Sequence, residues 1–450
     1  MSPRATAVVC AGCGAAASAD DPFPFRCRQA GTGDVDHVMT VQLDPALLRF
    51  PLGGDPNPFL RYRALSSPFD LARAHGLAEP GYLDIVARLD AAIARVDGHG
   101  FRLTPFGRSA ALSEWLGSAP AGGVWVKDET GNVSGSHKAR HLMGLLIHLE
   151  IVERLGLTPR RGGGGPPLAI ASCGNAALAA AVVARAGGRP LEVFIPTSAD
   201  PKVVARLEHL GARLTVCPRQ DGVAGDPTYH RLQQAIRDGA FPFTCQGPDN
   251  GLTIEGGKTL GYEMVSELVR AGARLDRLLI QVGGGALASA CIQGFQDAIR
   301  LGVPIPMPRI YAIQTEGGYP LKRTYDRIAQ RIGSHAAPAA VDEALRYAAT
   351  HRSEFMWPWE NEPKSIAHGI LDDETYDWLA VVRAMCTTGG SPIVVSEDEL
   401  IEANTLARAT TAIDVDHTGS SGLAGLLHLR RAGGLRAHET VAVLFTGIRR

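Results

Sequence analysis

The chain has 450 residues, 45% of them hydrophobic and 20% charged, and a formal net charge of −1. That length can bury a large core and predicts two domains with additions. The near-neutral balance gives no electrostatic case for nucleic acid or an acidic membrane surface, and no stretch reaches the roughly 20 apolar residues of a membrane span.

In chain order, Met1 to Ser18 lacks a basic start followed by a long apolar run, so no secretory signal is read. Eight cysteines, thinly spread apart from Cys10 and Cys13, predict a reducing cytoplasm and no disulfide framework. Residues 1–45 read as irregular, and residues 46–120 as short helical patterns such as Gly81–Val96. From Val124 onward, short apolar runs alternate with amphipathic ones, which predicts βαβ units and a mostly parallel sheet. Gly162–Gly165 followed by Pro166 and Pro167 reads as a loop. Residues 330–364 carry little periodicity and are expected to wrap the surface.

The chemistry is expected at four strand ends. Val124–Val126 runs into a Gly/Ser loop and then a helix from about His137, with Leu142, Leu145, Leu146, Leu149 and Val152 on one face. Leu168–Ala171 leads into Ser172-Cys173-Gly174-Asn175, and Leu278–Val282 leads into Gly283-Gly284-Gly285 and a helix from Ala286 and Leu287. Val441–Phe445 ends in Thr446-Gly447. In open parallel sheets ligands bind beyond the carboxyl ends of strands, so the four turns are expected to share one site. The triple glycine brings backbone N–H groups to a helix N-terminus and suits an anion. It lacks the Gly-Lys-Ser/Thr of a P-loop, and the spacing and later acidic residue of a dinucleotide fingerprint.

Lysines are few: Lys127, Lys138, Lys202, Lys258, Lys322 and Lys364. Where arginine is the usual cation, a lysine marks a need for a primary amine. Lys138, at the head of a helix after a Gly/Ser loop, suits a nucleophile. Lys127 reads equally as an ion-pair partner of Asp128 or Glu129, and Lys202 and Lys364 as solvated.

The segment Lys127-Asp128-Glu129-Thr130-Gly131-Asn132-Val133-Ser134-Gly135-Ser136-His137-Lys138-Ala139-Arg140 resembles the Lys-x-Glu…Thr-Gly-Ser-Phe-Lys-x-Arg motif of fold-type II pyridoxal phosphate (PLP) enzymes. Ser172–Ala177 is similar to their Ser-x-Gly-Asn loop, Gly283–Leu287 to their phosphate loop, and Thr446-Gly447 to the Ser/Thr-Gly after their last strand. Glu255-Gly256-Gly257-Lys258-Thr259 is similar to a threonine synthase motif. The matches keep the family's order over roughly residues 100–450.

The resemblance implies an α/β fold with two domains built on open, mostly parallel twisted sheets. The layout would be a ribbon-like extension over 1–45, a large PLP-binding domain from 46–130 and 251–450, and a small α/β domain over 131–250. It implies that Lys138 holds PLP as a Schiff base and moves protons. Asn175 would bond the phenolic oxygen, Gly283, Gly284 and Gly285, with Ala286 and Leu287, the phosphate, and Thr446 the pyridine nitrogen. A neutral hydroxyl there suits elimination better than transamination. Ser136, Ser172, Cys173 and Gly174 would receive the substrate carboxylate.

Departures bear on the substrate. His137 stands where threonine synthases and dehydratases carry Phe; it would touch the phosphate or simply pack. Thr253 stands where threonine synthases carry a phosphate-binding Arg, which puts O-phosphohomoserine in doubt. His368, in a segment similar to a family lid, reads as substrate-facing or as a surface histidine. Cys10, Cys13 and Cys27, with His37 as a fourth ligand, resemble a zinc ribbon, free thiols being the alternative.

The expected activity is a threonine synthase-like PLP lyase acting on an amino acid with a β or γ leaving group, as a cytoplasmic homodimer that engages neither nucleic acid nor membrane. A dehydratase-type β-elimination or a β-replacement are the alternatives within the class, and a non-catalytic PLP-fold binder the alternative outside it.

Overall fold

The computed structural model describes residues 4–120, 122–158, 166–220, 222–223, 225–333 and 337–450; the expected Gly162–Gly165 loop lies outside them. The chain forms two compact units: Met1–Gln29, His37–Leu103 and Asn132–Thr259 in the first, and Ala30–Asp36, Thr104–Gly131 and Leu260–Arg450 in the second.

Strand β1 (Thr6–Cys10) pairs antiparallel with β2 (Met39–Leu43), so residues 1–45 are not irregular throughout. Strands β3 (Phe106–Ser109) and β4 (Gly123–Asp128) belong to the second unit. Strands β5 (Leu168–Ala171), β6 (Leu191–Ile195), β7 (Arg213–Val216) and β8 (Phe241–Pro242) form the parallel sheet of the first, in the order β7-β6-β5-β8. Strands β9 (Arg277–Gln281), β10 (Arg309–Thr315), β11 (Pro392–Val395) and β12 (Thr440–Phe445) complete the second sheet, ordered β11-β10-β9-β12-β4-β3. All its pairings are parallel except β3 with β4. Both faces of such a sheet are covered, which is why β9 and β12 are buried along their whole lengths.

In the first unit, the helices Glu79–Asp97, Lys138–Arg154 and Asn175–Ala186 pack on one another. Residues 46–103, expected with the large domain, therefore lie in this unit, because the Glu79 helix buries Tyr82, Ile85, Val86, Leu89 and Ile93 here. Sequence patterning missed this because an amphipathic face does not name its partner. The Lys138 helix is buried around most of its circumference, including His141 and His148.

In the second unit, the helix His417–Arg431 packs on β9, β12 and the helix Glu397–Thr411, which opens with a reciprocal Ser396–Glu399 capping box. The segment expected to wrap the surface instead holds the helix Pro338–Thr350, which buries Ala344, Leu345, Ala348 and Ala349. Small alanines mask the apolar stripe, so periodicity understated it. Among the described residues, no helix is long and apolar enough to cross a membrane.

Candidate active site

Lys138 is the first residue of its helix and half-buried. The chain reaches it through a tight turn in which the Asn132 side chain accepts the Val133 N–H (2.8 Å). Ser134 takes φ +56°, a left-handed conformation unusual outside glycine, and the Asp97 carboxylate accepts its N–H at 2.7 Å. Ser136, next along, is fully buried, and its hydroxyl has no partner among the described residues. His137 is buried and meets the His141 ring edge-on at 5.8 Å.

The Glu255–Thr259 motif is what seats this helix. A Cβ at Gly256 would lie 2.3 Å from Arg140 O, and one at Gly257 2.2 Å from the His141 ring, so only bare backbone allows the two helices to approach. Glu255 accepts from Ser67 N (2.6 Å) and Ser67 Oγ (2.7 Å), Lys258 Nζ donates to Val41 O (3.0 Å), and Arg140 donates to Thr259 Oγ1 (3.1 Å). His141 Nδ1 is 2.8 Å from Thr253 O; burial above all pushes this imidazole down to about 3, so it is a neutral donor. Thr253 is wholly buried. Beyond β5, Ser172, Cys173, Gly174 and Asn175 are only partly covered, with Gly174 at the N-cap and Asn175 opening its helix.

In the second unit, β9 ends at Gln281 and turns through Gly283–Gly285 into the helix Ala286–Arg300, with Gly285 at φ +95°. Every carbonyl of the turn is engaged: Gly283 O by Thr375 Oγ1 (2.9 Å), Gly284 O by Asp377 N (3.0 Å) and Gly285 O by Ser289 N (2.9 Å). The N–H groups of Gly283, Gly284, Gly285 and Ala286 find no acceptor among the described residues. A Cβ at Gly283 would lie 2.4 Å from Asp372 Oδ2 and 2.8 Å from Ile370 Cα, and one at Gly284 2.9 Å from the Tyr376 ring. Four clustered donors at a helix N-terminus form a cradle for an anion, with their own carbonyls tied off.

Thr446, 2% exposed, follows β12, and Gln281 Nε2 lies 2.7 Å from its hydroxyl. Beneath this end, Lys127 is buried and donates to Glu263 Oε2 (2.5 Å), Thr104 O (2.8 Å) and Thr104 Oγ1 (2.5 Å), with Glu129 Oε1 at 3.6 Å. The expected ion pair with Glu129 is thus present, and Glu263 is the nearer carboxylate. His368 is exposed in a short turn whose Gly369 N–H is held by Thr418 Oγ1 (3.0 Å).

The family model for pyridoxal-phosphate dependent enzymes matches residues 99–447. The chain belongs to this family. It is 25% identical over 346 residues to threonine synthase of Methanosarcina acetivorans, across 76% of this chain and 74% of that protein. It is 30% identical over 197 residues to L-serine dehydratase of Saccharomyces cerevisiae, across 43% of this chain and 56% of that enzyme. It shares the fold of Escherichia coli diaminopropionate ammonia lyase, with a TM-score of 0.57, 16% identity, and coverage of 81% of this chain and 88% of that one.

In the second unit, the cradle of N–H donors fits a phosphate of the kind that PLP carries. Sequence reading of this PLP-family chain missed Gln281, Asp97 and Thr375. Each works through one hydrogen bond to a residue distant in sequence, and no local pattern signals that.

At the other end of the family chain, one ligand atom each from Cys10, Cys13, Cys27 and His37 lies within 4.8 Å of all the others. Cys10 Sγ is 3.5 Å from His37 Nδ1, and Cys13 Sγ is 3.6 Å from Cys27 Sγ. Tetrahedral zinc with Zn–S of about 2.3 Å sets its ligands roughly 3.8 Å apart, so the four donors fit the ion.

Proposed function

We propose that this PLP-family enzyme catalyses elimination or replacement at the β- or γ-carbon of an amino acid, in the manner of a threonine synthase. The observation that carries the reading is the row of N–H donors from Gly283 to Ala286, since buried donors without acceptors are costly and a phosphate would satisfy them. When bound, PLP supplies an electron sink for the substrate's α-carbon. Lys138 Nζ would hold the cofactor's aldehyde and take and return the α-proton. Asn175 would bond the phenolic oxygen, Thr446 Oγ1 the ring nitrogen, and His137, with the Ala286 and Leu287 amides, would back the phosphate. Ser136 Oγ, Ser172, Cys173 and Gly174 would hold the carboxylate, at the head of a helix whose dipole favours it.

A second reading, dehydratase-type β-elimination, is favoured by Thr253. A buried threonine cannot offer a leaving phosphate the bidentate grip of an arginine. Product analysis with O-phosphohomoserine, threonine and serine separates the two: phosphate with threonine supports the first, keto acid with ammonia the second. Borohydride reduction and peptide mapping test the common ground. A tag on Lys138, lost in Lys138→Ala together with turnover, is the expected result; a tag elsewhere, or none, overturns it.

A homodimer in the cytoplasm completes the reading; none of the eight cysteines is in a disulfide, which suits a reducing compartment. The N-terminal cluster is read as a structural zinc site. One zinc per chain by metal analysis, lost in Cys13→Ser together with melting temperature, is expected; metal-free protein of equal stability would refute it.

A further inference from the structure

We propose that Gln281 is a positioning residue that fixes Thr446 as a hydrogen-bond donor toward the cofactor's ring nitrogen, and so keeps that nitrogen unprotonated. The inference rests on the reading that Thr446 meets that nitrogen. Gln281 is 3% exposed, on the last residue of β9, two residues before the glycine turn.

Its Nε2 faces three oxygens: Thr446 Oγ1 at 2.7 Å, Gly419 O at 2.9 Å and Leu444 O at 3.2 Å. Two of these are peptide carbonyls, which only accept. The atom facing them must be the amide nitrogen, because the amide oxygen in its place would meet acceptors alone. An amide nitrogen has no lone pair to offer, so the 2.7 Å contact runs one way: Gln281 donates and Thr446 Oγ1 accepts. The single hydroxyl hydrogen of Thr446 is thereby directed away from Gln281. Gln281 Oε1 has no partner among the described residues and sits against Gly422, where an added Cβ would be 3.2 Å away. A buried amide held with one end unsatisfied is one whose orientation is set by its other end.

A partner that donates leaves the pyridine nitrogen with its lone pair engaged and no proton of its own. The ring then draws less electron density from the substrate. Gln281 thus acts on the protonation of the ring through Thr446 and touches neither substrate nor cofactor.

In Gln281→Met the donor to the Thr446 hydroxyl and to both carbonyls is gone. The Thr446 hydroxyl is then able to turn its hydrogen to Gly419 O or Leu444 O and present a lone pair to the ring, which favours a protonated nitrogen. The test uses holoenzyme reconstituted with ring-15N cofactor. In the parent protein the nitrogen resonance should lie in the unprotonated range. In Gln281→Met it should move toward the protonated range, with the ratio of protonated to unprotonated nitrogen rising about tenfold, the scale of one redirected hydrogen bond. A merely structural role would lower turnover and leave the resonance in place. A protonated nitrogen in the parent, which needs no variant to fold, overturns the inference, as does an unchanged resonance in Gln281→Met. Failure to trap Lys138 with borohydride would instead count against the cofactor-site reading itself.

Discussion

In Gly256→Ala the new Cβ would lie 2.3 Å from the Arg140 carbonyl oxygen, 0.7 Å short of the 3.0 Å below which real Cβ contacts essentially do not occur. The opposing atom is helix backbone two residues beyond Lys138, so no side-chain rotation relieves the clash. Either the Lys138 helix or the helix that carries Gly256 must move by that amount. Overpacking of this kind costs about 1–3 kcal/mol. Reactive groups need placing within roughly 0.5 Å, and a misplacement near 1 Å costs up to about a hundredfold, so turnover should fall at least roughly tenfold even with saturating cofactor. Denaturant unfolding and steady-state turnover read the two effects separately. Gly107→Ala is the control, since nothing lies within 4 Å of its Cβ and its φ is ordinary. If Gly256→Ala matched Gly107→Ala in both measurements, the close helix contact would not be what seats Lys138.

The other expectations concern buried charge. Burial pushes His148 down to about 4 from the usual 6.5, with its Nε2 held at 2.7 Å from Pro22 O. The unfolded chain therefore takes up a proton below 6.5 that the fold refuses until about 4, so stability is full above 6.5 and falls as the pH drops through that window. The loss should reach about 2 kcal/mol by pH 5, read as a lower urea midpoint, and His148→Gln should flatten the acid limb; an unchanged limb argues against a neutral buried ring. Lys127→Met leaves Glu263 and Glu129 buried without their cation and should destabilise by about 3–5 kcal/mol, with Glu263→Gln restoring part of the loss in the double variant. Additive effects in that cycle would show that the pair is not coupled.

Much of the local geometry of the candidate site was legible because it depends on a few consecutive residues. A glycine run between an apolar strand and a helix states its own geometry, and a lysine after a Gly/Ser loop falls at a helix head. The parallel α/β class follows from the same kind of signal, apolar runs alternating in length and period. Other features were visible as residues while their packing was not. Glu255–Thr259 resembled a threonine synthase motif, and its glycines and side chains pack and anchor the helix that starts at Lys138. Lys127 read as a partner of its neighbours; it meets Glu129 and also Glu263, 136 residues away.

What the sequence by itself determined is the set of strand-end turns and the reactive types placed on them, since backbone freedom and helix ends are properties of a few consecutive residues. Only the tertiary structure decided that residues 46–103 belong with the Lys138 helix, that His37 stands beside three cysteines, and that Gln281 addresses Thr446. Those are pairings across tens to hundreds of residues. Chain folding selects them by packing and hydrogen-bond satisfaction, and neither leaves a mark in the local pattern of the chain.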